Sequence, residues 1–248
     1  MKSEIISIGT EIMLGELTDT NASYLASQLP RLGIDLYWVS QVGDNQARLV
    51  EVLKRAWQRS ELILTTGGLG PTGDDLTREA IAEMLGEKLE IEPSLESRLR
   101  GRFGQLSTAM PLSNLKQATV ILSAESIPND QGTAPGWWVE RDGRILVAMP
   151  GPPREMLEMW RREVQPKLQR RADAIIVCRT FKTVGFSEAA VGELAFPLFP
   201  TDNPALGVYV KPDGIQLRLS AKAKTREEAE KMIDDGEVSI RAVLGDYI

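Results

Sequence analysis

The stretch TTGGLGPTGDDLTREA, residues 65–80, decides how the rest of the chain is read. It continues the apolar run ELILTT (61–66), which has strand character, and opens the helical pattern LTREAIAEMLG. Its glycines expose backbone N–H groups of the kind that hold phosphates. Yet it ends in Asp74 and Asp75, two carboxylates that a phosphate repels. Capping the following helix accounts for one aspartate. The second is explained by a divalent cation, which bridges carboxylate and phosphate and removes the repulsion. Gly68, Gly70 and Gly73 satisfy G-x-G-x-x-G, but in the dinucleotide fingerprint the helix begins among the glycines. Here Pro71 and the expected cap residues Asp74 and Asp75 push the helix start downstream, and the loop follows the third strand rather than the first. No G-K-[ST] occurs, so the chain has no P-loop.

Outward from this loop, strands and helices alternate. EIISIG (4–9) is a strand, and Thr20 or Asn21 caps a helix to about Leu32. IDLYWVSQVG (34–43) is a second strand, after which Asp44 caps the helix NQARLVEVLKRAWQRS. This order predicts an α/β fold, a mostly parallel sheet with helices on both faces. The middle predicts a helix over 93–106, a strand at ATVIL and a hairpin in GWWVERDGRILVAMP turning at Asp142-Gly143. REMLEMWRREVQ is helical and should end or kink at Pro166. In a strand, Trp137 and Trp138 face opposite sides. Either one indole is core and the other lies at a surface or contact, or both are covered by helices. From about residue 172 the pattern restarts as β-α-β-β-α, a smaller α+β domain at 171–248 after a first domain at 1–170, with a candidate turn at KPDG.

Composition narrows the chemistry. The 248 residues are 42% hydrophobic and 26% charged with net charge −6, which disfavours a general nucleic-acid or anionic-membrane surface. Cys178 has no partner within the chain, and Glu4 interrupts the amino-terminal apolar run, so a cytoplasmic protein is expected. There is no histidine, so acid–base work falls to carboxylates, lysine or metal-bound water, and any metal is held by oxygen. Mg²⁺ or Mn²⁺ is the expected cofactor. Thr10, Glu11 and Asp19-Thr20-Asn21 follow the first strand, and Asp44-Asn45 the second. In an open parallel sheet these ends gather around one crevice.

IGTEIMLGELTDTNASYLA, VGDN, TTGGLGPTGDDLT, NDQGTAPGW and MPGPPREM together resemble the CinA family, competence/damage-inducible protein A. The match runs in order from residue 4 to about 168. FKTVGFSE and GIQLRLSAKA extend it to that family's KH-like domain. The resemblance implies a three-layer, MogA-like molybdopterin-binding fold and a metal-dependent pyrophosphatase that cleaves ADP-ribose to AMP and ribose 5-phosphate. It implies Asp44 and Asp75 as catalytic aspartates, beside the reading of Asp74 and Asp75 as metal ligands that the loop itself gives. Lys116, matched alongside Gln117, would be a point cation against developing phosphate charge. Implied substrate contacts are Glu11, Asn21, Gly67, Gly68, Gly70, Thr72 and Thr77, with Gly132, Thr133, Pro150 and Gly151 from two further loops. The adenylylating members read GGTG and R-D where this chain has Leu69 and Asp74, which favours hydrolysis over molybdopterin adenylylation. That transfer, and a non-catalytic nucleotide sensor, stay as alternatives. Full-length relatives carry a deamidase domain, which is not expected in a chain stopping at Ile248. A homodimer is implied. The tail lacks the G-x-x-G clamp of nucleic-acid-binding KH modules, and residues 170–248 hold 11 Lys+Arg against 12 Asp+Glu, so no nucleic-acid partner is expected.

Overall fold

A computed structural model of the chain describes residues 1–105, 107–171, 174–212 and 214–248. Two compact units emerge: Met1–Leu29 with Asp35–Arg171, and Pro30–Ile34 with Ala172–Ile248.

In the first unit β1 (Lys2–Ile8), α1 (Thr10–Met13), α2 (Thr20–Gln28), β2 (Asp35–Val42), α3 (Gln46–Arg59), β3 (Leu62–Thr66) and α4 (Thr77–Leu85) follow in order. Next come β4 (Glu90–Ile91), α5 (Pro93–Gln105), β5 (Thr119–Val120), β6 (Ala124–Ile127), β7 (Gly136–Arg141), β8 (Arg144–Met149), α6 (Pro153–Met159) and α7 (Gln165–Gln169). Six strands form one sheet in the order β2-β1-β3-β8-β7-β6. β2, β1, β3 and β8 run parallel, while β7 and β6 are antiparallel additions at one edge. β3 is buried throughout, as a parallel strand covered on both faces must be.

One face takes Ile6, Ile8, Ile63, Leu146 and Trp137 against Leu49, Leu53 and Ala56 of α3 and Ala80 and Ile81 of α4. Alternate strand residues turn to the other face. There α2 packs on β1 and α6. Trp138 is 4% exposed and Trp137 fully buried, so both indoles are core and neither serves as a surface contact. The β7–β8 hairpin turns at Asp142 (φ 54) and Gly143 (φ 70), two left-handed residues as a two-residue hairpin requires.

Several local expectations shift. Asn45, not Asp44, caps α3, accepting from Arg48 N at 3.1 Å. Asp19 caps α2, which ends at Gln28 and continues as a 3-10 turn to Leu32. Pro166 neither ends nor sharply breaks its helix. A π-helical turn at Trp160–Val164 precedes it and absorbs the missing N–H before α7 resumes. Edge strand β6, too short for a periodic signal, is an addition to the expected set.

The second unit contains β9 (Ile175–Thr183), α8 (Glu188–Ala195), β10 (Ala205–Lys211), β11 (Gly214–Ala223) and α9 (Arg226–Leu244). Its antiparallel sheet, ordered β10-β11-β9, buries Leu217, Leu219 and Phe181 against Val191 of α8 and Ile233 and Ile240 of α9. Thr225 and Glu228 form a complete capping box on α9. Gly33 (φ +68) sits where a Cβ would lie 2.0 Å from the Ala174 carbonyl oxygen, which explains glycine there. The expected KPDG turn includes Asp213, outside the described residues, as does Leu106 at the end of the expected 93–106 helix.

Candidate active site

Strands β1, β3 and β8 all end at one crevice of about 560 Å³ in the first unit, where an open parallel sheet places its ligands. That volume suits a nucleotide-sized ligand. Of the expected residues, Glu11, Asn21, Asp44, Gly67, Gly68, Gly70, Thr72, Asp74, Asp75, Thr133, Pro150 and Gly151 line it. Thr77, Lys116 and Gly132 do not.

The loop after β3 is held from within. Asp75 is not a cap, because α4 begins at Thr77 behind Leu76, which makes no side-chain cap. Instead its carboxylate folds back and accepts from Gly70 N at 2.8 Å, Thr72 N at 2.9 Å and the Thr72 hydroxyl. Gly70 must be glycine, since a Cβ there would lie 2.4 Å from Asp75 Oδ2. Gly67 (φ +102) allows close approach to β1, where a Cβ would sit 2.0 Å from the Ile8 carbonyl oxygen. Two N–H groups expected to face a phosphate, those of Gly70 and Thr72, are therefore spent on Asp75. Among the described residues, the N–H groups of Gly68 and Leu69 have no such partner.

Asp74 is exposed and accepts from the Thr72 hydroxyl. That bond, then its own backbone N–H, hold its carboxyl below the ordinary range. Asp44 Oδ2 accepts from Thr10 N at 2.8 Å and Thr10 Oγ1 at 2.7 Å, which locks the β1 and β2 ends together. Its Oδ1 has no partner among the described residues. Asn21 is nearly buried and donates from Nδ2 to the Gly151 carbonyl at 2.8 Å, tying α2 to the PGPP loop.

Three expected contacts act from behind. Thr77 is fully buried and donates from Oγ1 to the Gly67 carbonyl at 2.8 Å. The Lys116 ammonium donates to the carbonyls of Thr72 (3.0 Å) and Asp75 and pairs with Glu79 at 3.0 Å. It is thus engaged by the loop rather than presented to a phosphate. Gly132 lines a small side cleft that meets the crevice at Gln117 and Thr133. A Cβ on it would lie 1.9 Å from Glu155 Oε2.

Arg78, Asn129 and Glu155 escape a sequence reading. Asn129 Nδ2 donates to Glu155 Oε2 at 2.7 Å and to the Ala134 carbonyl at 2.8 Å, shaping the 129–134 loop. Arg78 is 1% exposed and reaches two loops. Its signal was a cation in the first turn of a helix, where the macrodipole disfavours it.

Residues 4–170 match the family model described as "Probable molybdopterin binding domain", and residues 178–248 the "Damage-inducible protein CinA KH domain". A CinA-like protein of Thermomicrobium roseum is 47% identical over all of this chain and 61% of its own length. A CinA-like protein of Dictyoglomus turgidum is 42% identical, again over 61% of its length. The chain therefore spans about three-fifths of these relatives. A crystal structure of CinA from Thermoplasma acidophilum, titled as of unknown function, aligns at 28% identity and TM-score 0.64 over 68% of this chain and 99% of that one. The fold is that of the molybdopterin-binding domains, a mostly parallel three-layer sheet with a smaller carboxy-terminal domain. The chain belongs to the CinA family. No helix of the described residues is long and apolar enough to cross a membrane.

Proposed function

We propose that the crevice hydrolyses the pyrophosphate bond of ADP-ribose, or a closely related nucleoside diphosphate, giving AMP and ribose 5-phosphate with a divalent cation as cofactor. The observation that carries this is the meeting of an anion-ready glycine loop with several carboxylates at the ends of parallel strands, in a crevice of nucleotide size.

The donor set fits a hard cation of particular kind. No group of three or more acidic, cysteine or histidine ligands converges among the described residues, so the protein offers no cage of its own. Mg²⁺ and Mn²⁺ suit such a site, being held by one or two carboxylates while substrate phosphates and water complete the shell. Asp74, kept anionic by Thr72, and Oδ1 of Asp44 are the carboxylate oxygens free to serve. Asp75 already gives both oxygens to the loop. When bound, such an ion polarises phosphorus and acidifies water.

The chain's own groups do the rest. The free N–H groups of Gly68 and Leu69 receive phosphate oxygens as charge develops. Glu11 and Asp44 are acceptors for ribose hydroxyls or the attacking water. Water oxygen bonds to one phosphorus, the bridging P–O bond breaks and its electron pair leaves with the other phosphate. The water proton passes to a carboxylate and then to solvent. The family description keeps molybdopterin binding as a second reading of the same crevice. Incubating purified protein with ADP-ribose and Mg²⁺ or Mn²⁺, then separating nucleotides by chromatography, tests the proposal. AMP and ribose 5-phosphate in equal amounts are expected. Their absence with every divalent ion, alongside tight nucleotide or pterin binding, would overturn it.

A further inference from the structure

We infer that Arg78 is a positioning residue of this crevice: with Asp75 it grips the single peptide plane between Leu69 and Gly70, and it ties that plane to the opposite wall at Pro135. The inference rests on the proposed function only in taking the crevice to hold a nucleotide.

Arg78 Nη1 donates to the Leu69 carbonyl at 2.7 Å, and Nη2 to the Pro135 carbonyl at 2.8 Å. The Leu69–Gly70 peptide is trans, so its C=O and N–H point in opposite directions. The C=O meets the guanidinium, and the N–H meets Asp75 Oδ1 at 2.8 Å. One plane is thus held by a cation at its oxygen and an anion at its nitrogen. The two charges polarise the peptide in the same sense, so each bond strengthens the other. The second prong reaches the loop whose Thr133 and Ala134 line the crevice. The spacing of the two walls is therefore set by the width of one guanidinium.

The burial of this cation argues that it has a task. Arg78 is 1% exposed, and its Nε finds no partner. Burial pushes its pKa down to about 10, so it stays charged at neutral pH. Neutral packing around Trp137, whose ring lies 5.8 Å away, would avoid the desolvation of a charge. Lysine, a point cation, cannot supply the planar fork that both carbonyls require.

The test compares wild type, Arg78→Lys, Asp75→Asn and the double variant. Amide hydrogen exchange is read over 67–73 and 131–136, and affinity is read by calorimetry with Mn²⁺ and an ADP-ribose analogue whose bridging oxygen is replaced by methylene, so that no turnover occurs. Arg78→Lys should keep a cooperative melt yet raise exchange in both loops and weaken affinity about 10- to 100-fold, the equivalent of one charge-assisted hydrogen bond. KM should rise more than kcat falls. The two single losses should not multiply in the double variant, since both act on one peptide plane. Should Arg78→Lys fail to fold, Asp75→Asn alone decides. It touches only the glycine loop, and exchange should nonetheless rise at 131–136 through Arg78. Exchange confined to one loop, or fully multiplicative losses, overturns the inference. If wild type does not bind the analogue, the nucleotide reading fails, and the exchange comparison still judges Arg78.

Discussion

Replacing Asp75 by asparagine separates two explanations of the carboxylate pair, and the structure sets the magnitude. As a helix cap the change would be nearly silent, because asparagine caps as well as aspartate. As placed, Asp75 accepts from Gly70 N at 2.8 Å on one oxygen, and from Thr72 N at 2.9 Å and the Thr72 hydroxyl on the other. Asparagine has one oxygen. Whichever way its amide turns, an NH₂ group faces a backbone N–H, and one of those donors loses its acceptor. A hydrogen bond to a charged group contributes about 1.5–3 kcal/mol. In a unit of this size that corresponds to a melting temperature lower by about 3–12 °C. The sequence alone suggests an unchanged melt with lost turnover; the geometry predicts that both fall. Calorimetric melting of Asp75→Asn, alongside ADP-ribose turnover titrated with Mn²⁺, is the assay. A melt within about 1 °C of wild type, with turnover recovered at high metal, would refute the loop-holding argument and make Asp75 a direct ligand.

Asp44→Asn should behave differently. Its single oxygen can still take both Thr10 donors, so the melt should hold while loss of the free anionic oxygen lowers turnover by about 10²-fold; a drop in melting as large as that of Asp44→Ala would count against this. Gly70→Ala should mimic Asp75→Asn in both melt and turnover, because the new methyl would occupy the Asp75 carboxylate's place; a silent Gly70→Ala speaks against the hydrogen bonds drawn there. Lys116→Met should cost about 2 kcal/mol through the freed Thr72 and Asp75 carbonyls, with nucleotide affinity falling in step; turnover lost at an unchanged melt would instead place the ammonium on substrate. The pH–rate profile should show no acid limb from Asp74 within the ordinary carboxylate range. The Thr72 hydroxyl, then its own backbone N–H, lower its folded pKa, so its contribution is fully present above the ordinary carboxylate pKa and is lost only as pH falls through the lower folded one. With no histidine in the chain, an inflection between pH 6 and 8 assigned by mutation to Asp74 would contradict this.

The layered sheet was legible because buried parallel strands and helices with regular apolar spacing carry strong local signals. The hairpin at Asp142-Gly143 was legible because only certain residues adopt two successive positive φ values. The crevice was legible in outline, since loops at one end of a parallel sheet must converge. Roles within it were not. Asp44 and Asn45 are both good caps by type, and only tertiary placement lets Thr10 claim the first and leaves α3 to the second. Lys116 looks like any point cation in sequence, and its three partners come from residues 37 to 44 positions away. Arg78 hides inside a helix whose apolar pattern accounts for its neighbours. Such long-range pairings leave no periodic trace.

The Thr72 hydroxyl stands between the two carboxylates of the loop. Its Oγ1 lies 2.5 Å from both Asp74 Oδ1 and Asp75 Oδ2, and a hydroxyl has one proton to donate. The two carboxylates share that proton. Asp75 has two backbone donors besides, whereas Asp74, which faces the crevice, makes no ion pair among the described residues. Behind the loop, Arg78 gives its positive charge to carbonyls, and Lys116 gives its own to two carbonyls and the Glu79 carboxylate. A cation that pairs with Asp74 would approach from the crevice side. A phosphate alone would worsen the balance, whereas a phosphate carrying a divalent cation corrects it. The loop's two anions and a metal-bearing diphosphate are thus complementary in charge, and nucleotide affinity should rise steeply with divalent metal in wild type and less so in Asp74→Asn. Calorimetric titration of the non-hydrolysable methylene analogue of ADP-ribose with and without Mn²⁺ measures this, and equal metal dependence in the two proteins would show that Asp74 takes no part.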